Sequence, residues 1–344
     1  MKNNKDPGWS RVAFLSSLVA ALFGALYLAN DTYILHKVII SKDSLSARLF
    51  YLVVGGWIGT SCMLVYNKVV GKRIDKDYPG FNFGTRKTQF LAFISGSIAA
   101  VSTFFALWGN QVLDPSLVIA LSTLSVLYLS FYDSSKGYIR FRNIVLPVIF
   151  VIVGSFLASV EDLSEGHKIT LTGIFVLLIG RCGTDATERI ICQRGVWNSD
   201  AITFNFWRFL WLSIVGTILA FTIAAIRGEI NQLVAMRRVF FDALPWVLLT
   251  MFFVFFYNTL TQKAMKTGAV SKISTVLSLQ ITLGVPITLI ANRFYPQVFG
   301  KIPTDPLVWI IRSAGIGLIT IGVISLRTKK LRKMKKMKRK ISAW

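Results

Sequence analysis

Residues Ile169–Gly195 read ITLTGIFVLLIGRCGTDATERIICQRG, an apolar run that continues through Arg181 and on past Asp185 and Glu188. Its length meets the ~20 residues that a helix needs to cross a hydrocarbon core. At about 100° per residue, steps of four and seven place Arg181, Asp185 and Glu188 within an arc of about 60°, so they form one polar stripe. A charge at the bilayer centre costs at least about 2.5 kcal/mol on insertion scales, so such side chains face a bundle interior or a watery cavity. The stripe is therefore either a transport site or a lock. In the second case Arg181 and Asp185 pair at i, i+4, and Glu188 snorkels to the cytoplasmic headgroups.

The rest of the chain has the same character. Of 344 residues, 53% are hydrophobic and 16% charged, and the mean hydropathy is +0.57, which excludes a soluble domain of ordinary composition. Long apolar runs recur without period-2 alternation, so the fold class is an all-α integral membrane bundle rather than a barrel. The first run is longer than a signal-peptide core and reads as a true span. Cys62, Cys182 and Cys192 fall inside predicted spans without metal or redox spacing. His36 and His167 lie in predicted outer loops, so neither a disulfide, a metal nor a cofactor is expected.

Ten spans are predicted, near 12–34, 49–69, 88–109, 115–133, 143–160, 169–191, 201–226, 243–263, 269–291 and 306–326. With an inside N-terminus, 27 of the 39 Lys and Arg fall in cytoplasmic segments including their overlaps with span ends (the N-terminal tail, the loops near 68–87, 136–142, 189–194 and 263–272, and the C-terminal tail), nine in outer loops, and Arg181, Arg208 and Arg312 deeper inside spans. Ten lie from Arg327 onward, and without them the bias is still 17 to nine. Both termini are then cytoplasmic, with the cell membrane as the expected location. The polybasic tail 328–344, with TKKLRKMKKMKRK, suits anionic lipid at the membrane surface. No nucleic-acid recognition module accompanies it. A homodimer is left open.

The chain is written twice. DPSLVIALSTLSVLYL, from Asp114, aligns with AVSKISTVLSLQITLG, from Ala269, and FVIVGSFLASV around Gly154 parallels LITIGVISLRT around Gly322. Two five-helix repeats of opposite orientation result, 1–160 and 169–327, an arrangement that places a site at their interface. In these motifs the chain resembles the drug/metabolite transporter superfamily, and within it the EamA-like exporters. The first half contributes FFALWGNQVLDPSLVIALSTLSVLYLSFYD and NIVLPVIFVIVGSFL, the second FYNTLTQKAMKTGAVSKISTVLSLQITLGVPITLI and RSAGIGLITIGVISL. Ser125 and Gln280 replace the family's frequent proline in the fourth helix. Asp133-Ser134 and Asn292-Arg293 replace the glutamate usual after it.

The resemblance implies a secondary transporter whose first, third, fourth, sixth, eighth and ninth helices line a central cavity, with Arg208 and Asn205 on a peripheral helix. Arg181, Asp185, Gln280, Lys272, Asn258, Trp108 and Tyr128 are the candidate substrate contacts. Tyr27, Phe104 and Tyr257 join Trp108 and Tyr128 as candidate walls. Gln280 either meets substrate or hydrogen-bonds between helices. Lys272 either snorkels or attracts anions at the cavity mouth. Asp185, Glu188 and Asp31 are the candidates for proton coupling. No ATP-binding loop is present, so a gradient must supply the energy. The expected activity is export of a small polar metabolite, amino-acid-like or an organic anion, and not an enzymatic one. The alternatives are an organic-phosphate or nucleotide-sugar antiporter and, from another class, a non-transporting membrane protein or a lipid flippase.

Overall fold

The structure is a computed structural model that describes residues 10–39, 44–75, 78–112, 122–158, 160, 176–295 and 305–341. Among these there is no strand. Helix α1 spans Arg11–Tyr33 and runs into a π-helical turn, Ile34–Val38; α2 is Ser44–Ile74, α3 Arg86–Val112, α4 Ser125–Ser135 and α5 Phe141–Ala158. A π-helical segment, Val176–Gly183, leads into α6, Thr184–Asn198, followed by α7, Ala201–Ile226. After a short helix, Ile230–Ala235, come α8 (Phe240–Thr267), α9 (Val270–Leu277), α10 (Leu279–Phe294) and α11 (Pro306–Ile341).

Eight helices among the described residues are long and apolar enough to cross a membrane. The predicted spans 115–133 and 169–191 begin in 113–121 and 161–175, outside the described residues; of the break expected at 110–114 between the third and fourth spans, 110–112 are helical as the end of α3 and the rest lies outside the described residues. The ninth predicted span is two helices, α9 and α10, broken at Ser278, whose hydroxyl and amide both bond to the carbonyl of Ser274.

Burial is sorted by side-chain size rather than by polarity. In α1 the buried positions are Ala13, Ser17, Ala20, Ala21, Gly24, Ala25 and Ala29, while Val12, Leu15, Leu18, Val19 and Leu22 are exposed. In an apolar solvent, large aliphatic residues gain nothing by turning inward. Small ones gain because they let helices approach. Helix α1 lies against α8 in this way, α5 against α11, and α7 against both α2 and α3. Side chains at loop ends hold the register. Ser10 accepts from the Ala13 amide (2.9 Å) and Asp200 from the Thr203 amide (2.7 Å), each capping a helix N-terminus. Asp133, at the end of α4, accepts from both the amide (2.8 Å) and the hydroxyl (2.5 Å) of Ser271 at the start of α9.

The close contacts are reciprocal. Gly59 accommodates the ring of Phe209, and Gly216 packs on Leu52, while Gly56 faces Ser213. Leu52 and Phe209, Gly56 and Ser213, and Gly59 and Gly216 are each 157 residues apart. Between α5 and α11, Gly154 lies against Gly315 and Ile319, and Gly322 against Pro147 and Val151, with each counterpart 168 residues along. If residue i touches j, the counterpart of i touches the counterpart of j, which is the contact pattern of a two-fold axis.

Gly96 of α3 tests this packing, because a Cβ there would come within 2.8 Å of the Leu212 backbone nitrogen and 2.7 Å of the Trp211 Cβ. Gly96→Ala is expected to destabilise the protein by about 1–3 kcal/mol. Gly317→Ala, with open space at that position, leaves stability unchanged. Unfolding midpoints in detergent measure both.

Candidate functional site

Small residues on packed helix faces leave room at the centre of the bundle. A cavity of about 370 Å³ opens there, walled by α1, α2, α3, α7, α8 and the stretch from Arg181 to Cys192. Six ionisable residues of formal charge line it: Asp31, Arg181, Asp185, Glu188, Arg189 and Arg208. Three are cationic and three anionic, so the wall is balanced in charge. Tyr27, Tyr51, Tyr257, Asn258, Thr250 and Met251 supply much of the remainder.

Four of the six charges pair off. Arg189 Nε lies 2.9 Å from Asp185 Oδ2, one turn away on α6. Arg208 Nε on α7 lies 2.6 Å from Glu188 Oε1. The Glu188 carboxylate also accepts from Ser95 of α3 (3.1 Å) and from the Cys192 thiol (2.8 Å). Three helices therefore meet at one buried carboxylate, which is 7% exposed. Arg181 instead reaches α3, where its Nη1 donates to the hydroxyl (2.7 Å) and carbonyl (3.2 Å) of Ser102. Asp31, on α1, accepts at Oδ1 from Tyr51 of α2 and from Thr250 of α8 (3.1 Å). Beside it Asn30 donates to Thr250 (2.7 Å) and to the Trp246 carbonyl (2.8 Å).

Several sequence expectations change here. Among the described residues Arg181 and Asp185 make no direct ion-pair contact, Arg189 taking that place, although Asp185 is in electrostatic reach of both arginines. The chain through Arg181 is wound as a π-helix, which alters the rotation per residue, whereas from Thr184 the α-helical step of four sets Asp185 below Arg189. Arg189, counted by the charge rule as a cytoplasmic loop residue, faces the cavity. Glu188 is an interior tie rather than a snorkelling exit residue. Arg208 lines the cavity instead of bracing the periphery, because α2 and α7 contribute to its wall. Asn205 does brace, accepting from Gln262 Nε2 (3.1 Å) and donating to Thr259 (3.4 Å) across α7 and α8.

Among the other candidates, Asn258 lines the cavity with Tyr27 and Tyr257, whose rings meet edge to face at 5.2 Å. Gln280 stands just behind this wall. Its Oε1 is buried without a hydrogen-bond partner and would lie 2.7 Å from a side chain at Gly24. Lys272 and Tyr128 are not cavity residues. Lys272 is in electrostatic reach of Asp133, and Tyr128 is 45% exposed with its hydroxyl on the Leu178 carbonyl (3.3 Å). The Trp108 side chain lies outside the described residues. Among those residues no group of His, Cys, Asp and Glu could hold a metal ion.

Removing one partner of a buried ion pair strands the other charge, at about 3–5 kcal/mol, while replacing both with apolar groups of similar volume is close to neutral. Glu188→Leu is therefore expected to lower the unfolding midpoint sharply, and Glu188→Leu with Arg208→Met to recover most of the loss. Thermal unfolding of the two variants in detergent measures this.

No family model and no curated protein matches the chain. Among solved structures 28 chains match. One, described only as "Crystal structure of protein", aligns with a TM-score of 0.57 and 14% identity over 91% of this chain and 94% of its own. At that identity the likeness establishes the fold alone: a near full-length, helical architecture shared with a protein of unrelated side chains.

Proposed function

We propose that this chain is a secondary-active transporter that moves a small polar metabolite by alternating access between two inverted five-helix repeats. The observation that supports it most is the cavity: six charged side chains converge at the centre of an otherwise apolar bundle. Charges inside a membrane bundle are rare, face its interior or a watery cavity, and by default point to a solute or ion pathway. The reciprocal contacts at steps of 157 and 168 residues support the repeat. Inverted repeats put the solute at their shared interface and expose it to each side in turn. The resemblance to the EamA-like exporters points the same way, toward export across the cell membrane with both termini cytoplasmic and the polybasic tail on anionic lipid.

Within that reading the roles divide. The two ion pairs hold α6 to itself and to α7, so Asp185 and Glu188 are engaged. Asp31 is the carboxylate left to meet a proton or another cationic species. Arg181 is the cation left to meet an anionic group. The organic-phosphate or nucleotide-sugar alternative asks for unneutralised cations, and two of the three cavity arginines are already paired with carboxylates.

Purified protein in liposomes, loaded in turn with amino acids, phosphorylated metabolites and nucleotide sugars, is expected to show counterflow of one class. A hydrogen bond to a charged group contributes about 1.5–3 kcal/mol, so Arg181→Ala should lower transport about tenfold or more while eluting normally on gel filtration. Undiminished transport by that variant removes Arg181 from the site. For orientation, Lys136→Cys is expected to react with a membrane-impermeant maleimide only from the cytoplasmic side, and Arg227→Cys only from outside. The reverse pattern would invert the assigned topology.

A further inference from the structure

Two carboxylates in the cavity wall occupy equivalent places in the repeat. Asp31 and Glu188 are 157 residues apart, and so are Tyr51 and Arg208, the step that relates the contacts of α2 to those of α7. Their further partners, Thr250 and Ser95, are 155 apart, the step at which the segment from Asp114 aligns with the segment from Ala269. The shorter step holds in space between α3 and α8. Gly96 of α3 lies against Leu212, and their counterparts, Met251 and Gly55, lie against each other.

The two nodes share one plan. A carboxylate on the first helix of a repeat, Asp31 of α1 or Glu188 of α6, accepts from the second helix of the same repeat, Tyr51 of α2 or Arg208 of α7. It also accepts, at 3.1 Å in each case, from a hydroxyl on the third helix of the other repeat, Thr250 of α8 or Ser95 of α3. The donor within the repeat is a phenol at one node and a guanidinium at the other, yet in both it moves with the carboxylate. The hydroxyl is the group that crosses between repeats. Thr250 and Ser95 are both buried.

The nodes also sit at opposite ends of the cavity. Tyr51 and Arg208 each stand seven residues into their helices, about two turns. Those helices run antiparallel, since Leu52 meets Gly216 while Gly59 meets Phe209. In a carrier of two inverted repeats, one end of the cavity opens when the repeats part there while the other end stays closed. On the reading of the chain as such a carrier, we propose that the two hydroxyl–carboxylate bonds are paired latches: Thr250 on Asp31 holds one end of the cavity shut, and Ser95 on Glu188 holds the other. Because the two latches are built alike, loss of one shifts the population toward opening at its own end.

The test uses the full-length protein in lipid nanodiscs, with hydrogen–deuterium exchange read by mass spectrometry at both ends of the bundle. The Asp31 end comprises the last turn of α1 and the first turns of α2 and α8, and the Glu188 end the last turns of α6 and the first turns of α3 and α7. Thr250→Val is expected to speed exchange at the Asp31 end by about tenfold, the factor that a hydrogen bond to a charged group supplies, and to slow it at the Glu188 end. Ser95→Ala is expected to do the reverse. Each carboxylate keeps its donor within the repeat in these variants, Tyr51 or Arg208, so neither charge is stranded. Thr250→Ser retains the hydroxyl and should exchange as the parent protein does. General damage to the fold speeds exchange at both ends, and that result in either single variant overturns the latches. Exchange that is unchanged, or that rises at the same end in both variants, overturns them equally. Counterflow that persists in liposomes while exchange is unmoved removes the latches and leaves the transport reading standing. The crossed pattern in a protein that carries no solute keeps the latches and removes that reading.

Discussion

The cost of a charge in an apolar medium governs this structure. In water an arginine can point anywhere. Among helices whose outward faces are leucine, valine and phenylalanine, it must find a carboxylate, a carbonyl or a pocket of polar space. Arg208 meets Glu188, Arg189 meets Asp185, and Arg181 meets the Ser102 backbone and hydroxyl. Each of these ties fixes a helix: Arg208 brings α7 to α6, Ser95 and Ser102 bring α3 to the same stretch, and Asp31 gathers α1, α2 and α8 through two hydroxyls.

The same constraint explains why packing is built on small residues. Helices in lipid gain little from burying aliphatic bulk, so contact comes from alanine and glycine faces, as between α1 and α8 or where Gly154 meets Gly315. Close backbone approach at the rims and polar ties at the centre give a bundle that is tight along its seams and hollow in the middle.

A buried ion pair is a poor stabiliser measured against an apolar pair of similar volume. Its retention at Glu188 and Arg208 therefore asks for a reason other than stability. Joining α3, α6 and α7 at one buried carboxylate is one.

Much of this was legible in the sequence. Length and hydropathy set the helices, and the end of α7 at Ile226 falls where predicted because the apolar run stops there. Intramembrane charge singled out Arg181, Asp185, Glu188 and Asp31, all of which line the cavity. The paired glycines near 154 and 322 announced contacts that the structure shows to be reciprocal. The sequence could not say which charge meets which, because pairing depends on rotation about the helix axis, and the π-helical winding through Arg181 changes that rotation without leaving a trace in composition. Arg189 was hidden for a related reason: next to a basic loop it counts as cytoplasmic, and only the extension of α6 to Asn198 carries it inside. Whether a helix is wall or periphery, as for α7 and its Arg208, is a matter of how helices cross, and crossing is decided by the fit of side chains from segments far apart in the chain. Composition and periodicity thus determined that this is a helical bundle with charges inside it; tertiary packing alone decided which of those charges pair and which helices they join.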